Sequence, residues 1–165
     1  MLNRAWNHDI VRYADGTIAA LWQARVNGTG TGDPDKRMLY ARFDGTSWKL
    51  TYLVKAGPKL FPEEEDFVGL GALDPDDPTS IYVSTPYDPR DDSTMTPKRE
   101  LYRGTTCDQG ATFTWTNVTQ SSTSDNLRPI IPKWDRSHTA LLWLKGLYTS
   151  AQFYNLKVVG IISSK

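Results

Sequence analysis

Cysteine is nearly missing from this chain: Cys107 is the only one in 165 residues. That excludes an intrachain disulfide and a zinc site built on cysteines. No apolar run approaches the roughly 20 residues of a membrane span. The opening Met1-Leu2-Asn3-Arg4-Ala5-Trp6-Asn7-His8 lacks the apolar stretch of a signal peptide. Neither sign of charge is in excess, with Lys+Arg 19 against Asp+Glu 19, so no electrostatic argument points to nucleic acid or to a membrane surface. There is no phosphate-binding loop, no Ser-His-Asp signature and no His-Glu-x-x-His. Asp76-Asp77 and Asp91-Asp92 lack the spacing of a calcium loop. No metal and no cofactor are expected. Helical periodicity is also scarce.

Aromatic residues and turn formers are plentiful. Aromatics make up 12% of the chain, with Trp 6 and Tyr 8, alongside Gly 12 and Pro 10. That is too aromatic for a disordered chain. Short β-rich runs recur between Gly, Asp, Asn and Pro. Ile10–Tyr13 turns through Ala14-Asp15-Gly16 into Thr17–Trp22. Arg37–Phe43 turns through Asp44-Gly45-Thr46 into Ser47–Val54. The order then repeats with Asp66–Leu73, Ser80–Thr85, Glu100–Gly104 and Thr114–Thr119. The last turn of that unit is Thr106-Cys107-Asp108-Gln109-Gly110-Ala111-Thr112-Phe113, which fits the pattern Ser/Thr-x-Asp-x-Gly-x-Thr-Trp/Phe. A third unit runs through Leu127–Pro132, Thr139–Leu144 and Leu156–Ile162 and has no fourth strand. The sequons Asn27-Gly28-Thr29 and Asn117-Val118-Thr119 are short enough to occur by chance.

The pairs Leu39-Tyr40 and Leu101-Tyr102 are read as equivalent, as are Trp48 and Trp115, giving a period of roughly sixty residues. Repeated four-stranded meanders are the units of a β-propeller, in which each unit needs a neighbour to cover its faces. The expected fold is all-β: one partial β-propeller over residues 1–165, of about three four-stranded antiparallel blades at about 9–54, 66–119 and 127–165, the last incomplete. Residues 1–7 are a poor candidate for the missing strand. Propellers typically have about four to eight blades. The chain is therefore expected to be the C-terminal part of a larger propeller, with missing N-terminal blades, or to need another copy to close the ring. The first is favoured.

In such meanders the first–second and third–fourth turns share one face. Here those turns are short and rich in Asp and Gly. The opposite face carries long loops, 25–36, 86–98 and 146–154, and the connections 1–9, 55–66 and 120–128, and it is where a site is expected. His8 precedes the first inner strand, where an imidazole could move a proton near neutral pH; a loop hydrogen bond is the alternative. Arg128 stands at the mouth of the third inner strand and could hold a carboxylate bidentately, against a local salt bridge. Tyr148 could be acid, base or sugar contact, or packing. Arg25, Tyr87, Asn126, Trp143, Tyr154 and Glu65 are candidates for substrate binding, although a strand tryptophan is more often core and the run Glu63-Glu64-Glu65-Asp66 more often a solvated loop. His138 lies in a turn on the other face.

The Thr106–Phe113 turn resembles the Asp box of bacterial neuraminidase (BNR) repeats. With the meanders and the phrase Asn126-Leu127-Arg128-Pro129-Ile130-Ile131-Pro132…Leu142-Trp143…Gly146-Leu147-Tyr148-Thr149-Ser150, the chain resembles BNR-type propellers of the sialidase superfamily. Within it the chain looks most like the polysaccharide lyases on seven-bladed propellers, the ulvan and rhamnose–glucuronate lyases. The resemblance implies a polysaccharide or oligosaccharide substrate, an extracellular or periplasmic location, and β-elimination at a uronic acid. His8 would then be the base, Arg128 the partner of the carboxylate, and Tyr148 an acid or base. Alternatives are a sialidase-like glycoside hydrolase, with Arg25 and Arg128 in an arginine cluster and Tyr148 or Tyr154 paired with Glu65, and a propeller that binds carbohydrate or protein without catalysis.

Overall fold

Polar turn residues divide the chain into strands that each find a partner in sequence order. The computed structural model describes residues 2–26, 35–135 and 137–164. Among these residues there is no helix. The strands are β1 (Leu2–Arg12), β2 (Ile18–Val26), β3 (Lys36–Phe43), β4 (Trp48–Lys55), β5 (Gly71–Leu73), β6 (Ser80–Tyr87), β7 (Met95–Thr105), β8 (Thr114–Asn117), β9 (Asp125–Ile130), β10 (His138–Tyr148) and β11 (Tyr154–Ser164). They form three antiparallel meanders, β1-β2-β3-β4, β5-β6-β7-β8 and β9-β10-β11. The first strand of each sheet neighbours the next: β5 touches β1 on one side and β9 on the other.

Period-2 alternation gives the two central strands of the middle sheet, β6 and β7, apolar residues on both faces. Ile81, Val83 and Tyr102 meet Leu21, Met38 and Tyr40 of the first sheet in the main core. Tyr82 and Leu101 point the other way and meet Leu141 and Trp143 of the third sheet. Each such side chain, when fully buried, contributes about 1.5–3 kcal/mol.

The turns share one chemistry. Asp15 accepts from the Thr17 amide at 2.9 Å and hydroxyl at 2.7 Å. Asp77 does the same for Thr79, at 2.9 and 2.6 Å, and Asp135 for Ser137, at 2.9 and 2.8 Å. Thus Asp-x-Thr/Ser builds the first turn of all three sheets. In the Thr106–Phe113 turn, the Asp108 carboxylate accepts from the Thr112 amide at 2.9 Å and hydroxyl at 2.6 Å, while the Thr106 hydroxyl accepts from Gly110 N at 2.9 Å. Those bonds, led by the Thr112 hydroxyl, hold the Asp108 carboxyl down to about 2. Gly110 sits at φ +87 with the Tyr40 ring where a Cβ would be, and its carbonyl accepts from Thr51 at 2.6 Å. The turn therefore fastens the second sheet to the first.

Several expectations change. Residues 2–9 belong to β1 rather than to a connection, with Leu2 registered on Val26. The expected strand Asp66–Leu73 shrinks to Gly71–Leu73, because 59–68 is bonded elsewhere as a loop. The first strand of the third sheet runs from Asp125 to Ile130 rather than from Leu127 to Pro132. The two Leu-Tyr pairs are offset by one residue. Register aligns the rows Ile18–Phe43–Trp48 and Ile81–Gly104–Trp115, so Trp48 does match Trp115. Tyr102 then matches Ala41, and Tyr40 and Tyr102 come from opposite sides into the same core. Residues 27–34, with most of one long loop and the Asn27 sequon, lie outside the described residues.

Candidate functional site

The long loops gather at one end of the strands and the Asp-rich turns at the other. At the loop end, two first strands carry a β-bulge. In β1, Asn7 pairs with Trp22 and Asp9 with Leu21, leaving His8 as the extra residue. In β9, Leu127 pairs with Leu144 and Ile130 with Leu142, so one residue is inserted around Arg128-Pro129. Bulges re-aim side chains and bend strands next to sites. Arg128 also has φ +51, a left-handed conformation uncommon outside glycine, and its amide is tied to the Gly69 carbonyl at 2.8 Å.

Between these bulges runs the loop 59–68, whose Glu65-Asp66-Phe67 segment is the hub. The Arg25 guanidinium donates to Asp66 Oδ1 at 3.0 and 2.8 Å and to Glu65 Oε2 at 2.9 Å. Burial works against the charge of Arg25, but those bonds outweigh it and raise its pKa. They hold the Glu65 carboxyl below its usual range. Buried Lys36 donates to the Glu65 carbonyl at 3.0 Å, and Gln23 donates to the Asp66 carbonyl.

Phe67 is the centre of an aromatic group. Its ring lies 6.1 Å from Trp6, 5.7 Å from Phe61 and 5.6 Å from Tyr148. Tyr148 also contacts Phe61 at 5.3 Å and stacks on Tyr154 at 6.1 Å and 24°. The Arg128 guanidinium lies 5.6 Å over the Phe67 ring. Arg128 has no carboxylate partner among the described residues, and the Tyr148 hydroxyl makes no hydrogen bond there. A depression of about 550 Å³ opens beside this group, lined by Phe61, Glu63 and residues 149–153.

His8 sits on the same strand end but deep. Its Nε2 is 3.3 Å from Gln23 Oε1, and its buried Nδ1 has no hydrogen-bond partner among the described residues. Burial drives its pKa from 6.5 to about 4, against a smaller upward pull from Gln23. The ring is therefore neutral over the range in which a free histidine titrates.

Six of the nine expected residues, His8, Arg25, Glu65, Arg128, Tyr148 and Tyr154, thus lie around one loop. Three do not. Asn126 and Trp143 are buried and spend their polar groups on one another and on the fold. Asn126 Oδ1 accepts from Trp143 Nε1 at 3.0 Å, and Asn126 Nδ2 donates to the Arg99 carbonyl and to Ser122. A substrate-binding role does not fit side chains so enclosed. Tyr87 packs elsewhere, with the Lys55 ammonium 5.2 Å over its ring. His138 lies at the turn end, bonded to Asp135 at 2.7 Å.

Phe61, Phe67, Trp6 and Gln23 were not foreseen. Gln23 alone had a signal, as a polar residue that follows the apolar run Ile18–Trp22 on the inner face of its strand. A second depression of about 560 Å³ lies at the turn end, lined by Arg12, Tyr13, Asp15, Pro75 and Lys133. Two acids line it, Asp15 and Asp76, and Asp15 is already committed to the Thr17 turn. Among the described residues no cluster of His, Cys, Asp and Glu could hold a metal ion. The chain matches no known family model, no curated protein and no solved structure.

Proposed function

We propose that the chain is a carbohydrate-active module of propeller type whose loop end receives an acidic glycan. The observation that carries this reading is Arg128: a guanidinium with no carboxylate partner among the described residues, set on a bulge over an aromatic ring and beside the stacked pair Tyr148–Tyr154. A planar fork matches a carboxylate bidentately, and aromatic faces suit the apolar side of a sugar ring. The adjacent first strands and the Asp108 turn support the propeller reading.

The reaction such a site would support is β-elimination at a uronic acid. A base takes the C5 proton, the C5–H electrons form the C4=C5 double bond, and the C4–O4 bond breaks. O4 leaves with a proton from an acid. Arg128 would stabilise charge that grows on the carboxylate as C5 loses its proton. The Tyr148 hydroxyl, without a hydrogen bond among the described residues, is available for proton transfer. A pKa near 4 makes His8 a weak base at neutral pH. Its burial is the specific observation favouring a second reading, in which the module binds an acidic glycan without cleaving it. The hydrolase reading is less well supported, because Glu65 is committed to Arg25.

Digestion of a uronate-containing polysaccharide, followed by the ultraviolet absorbance of the unsaturated product, tests cleavage. Binding of acidic against neutral oligosaccharides tests recognition. Arg128→Ala is expected to weaken acidic-oligosaccharide binding by about 10–100-fold and leave neutral-sugar binding unchanged. Equal affinity of the parent protein for acidic and neutral oligosaccharides would refute the proposal.

A further inference from the structure

The two outer faces of the three-sheet stack are both apolar, and no element among the described residues covers either. In the first sheet, register places Ile10, Ala20, Ala41 and Leu50 in one row across all four strands, on the face turned away from the second sheet. Ile10 and Leu50 are 61% and 59% exposed, and Trp48 in the next row is 52% exposed. In the third sheet the row Ile130–Leu142–Gly160 lies on the face turned away from the second sheet. Ile130, Val158 and Ile162 are 59%, 71% and 64% exposed. Isolated exposed apolar residues are ordinary, but contiguous rows of them on a sheet mark an interaction surface.

The internal packing indicates what fits. The first sheet presents its Leu21–Tyr40 face to the Ile81–Val83 face of the second. The second then presents its Tyr82–Leu101 face to the Leu141–Trp143 face of the third. Each sheet thus offers a forward face to the backward face of its successor. The third sheet's free face is a forward one. The first sheet's free face is a backward one, and its row Ile18–Phe43–Trp48 is the counterpart of Ile81–Gly104–Trp115, which is covered inside the molecule.

We infer that the partner of these faces is a second copy of this chain, packed head to tail, with the first sheet of one copy on the third sheet of the other. The contact continues the packing already present between consecutive sheets. It is heterologous, so successive copies close into a ring if the rotation permits. The inference stands on packing alone and does not depend on the glycan reading.

Sedimentation velocity of the full chain over a wide concentration range, without glycan, tests it together with Leu50→Glu on one face and Val158→Glu on the other. The unaltered chain should sediment as more than one copy, and each variant alone as one copy. An equimolar mixture of the two should regain a two-copy complex, since each keeps the face the other has lost. Circular dichroism checks that the variants fold, and Ile162→Lys replaces Val158→Glu if that variant does not. The inference is overturned if the unaltered chain stays single at every concentration, if one variant alone still self-associates, or if the mixture remains single.

Discussion

Lowering the pH should unfold this protein partly through His8. An ordinary imidazole takes its proton at 6.5, whereas burial lowers His8 to about 4. Above pH 6.5 the ring is neutral in the folded and unfolded chain alike, and the residue adds no pH slope. Between 6.5 and about 4 the unfolded chain binds the proton and the folded chain does not, so stability falls as pH falls. Below about 4 both forms bind it and the slope ends. At about 1.4 kcal/mol per pH unit, the gap between 6.5 and about 4 amounts to at most about 3.5 kcal/mol. His8 as a whole keeps some exposure although Nδ1 is buried, so solvent screening trims the expected loss toward about 2 kcal/mol.

The assay is denaturant unfolding of the parent chain and of His8→Gln at a series of pH values. Carboxylates titrate in both proteins, so their contributions cancel in the difference. That difference should shift against the parent by about 2–3 kcal/mol on going from neutral pH to about pH 4. Nitrogen chemical shifts of the His8 ring should report a neutral imidazole down to about pH 5 and a midpoint near 4. A ring midpoint near 6.5, together with a flat difference curve, would refute the reasoning, because the imidazole would then be in water.

Gly110→Ala should destabilise the protein by about 2–4 kcal/mol, combining a positive φ with a methyl group driven into Tyr40. A thermal melt reads it, and an unchanged melting temperature would mean that the turn does not fasten the first sheet. Arg128→Gly should stabilise by about 0.5–1 kcal/mol relative to Arg128→Ala, since φ +51 suits glycine. Both variants should lose acidic-oligosaccharide binding equally; separate effects on melting and binding would assign the strained backbone and the guanidinium to different roles.

Much of this fold was legible because turn chemistry and alternation agree. Asp-x-Thr/Ser at Asp15, Asp77 and Asp135 fixes where each sheet turns, and the apolar alternation of 37–43 and 80–85 fixes which residues face inward. The start of β1 was not legible, since Asn3, Arg4 and Asn7 show no strand alternation. Leu2–Val26 pairing comes from the partner strand instead. Asp66–Gly69 looked like strand but left the ladder. Arg25 draws the Asp66 carboxylate and Gln23 draws its carbonyl, and these are long-range bonds that no local pattern displays. The Leu-Tyr coincidence misled because a one-residue offset reverses the face of every side chain. In the site, loop placement gathered His8, Arg25, Glu65, Arg128, Tyr148 and Tyr154, but it could not tell Asn126 and Trp143 apart from them. Their burial follows from packing between sheets.

Two arginines at this end show why placement alone does not identify a site. Arg25 is closed by Glu65 and Asp66, so an incoming carboxylate would have to displace two acids already bonded to it. Among the described residues the Arg128 guanidinium lies over the Phe67 ring and has no carboxylate partner. A contact of that kind contributes about 0.5–1 kcal/mol at an exposed position, whereas a hydrogen bond to a charged group contributes about 1.5–3 kcal/mol. A carboxylate arriving above the ring gains the second without abolishing the first, because the guanidinium can keep its stack while its edge donates. The backbone at φ +51 carries its own cost, of order 1–3 kcal/mol. No ion pair among the described residues offsets it. A strained bulge that presents an uncommitted guanidinium makes sense when the compensating charge comes from outside the chain.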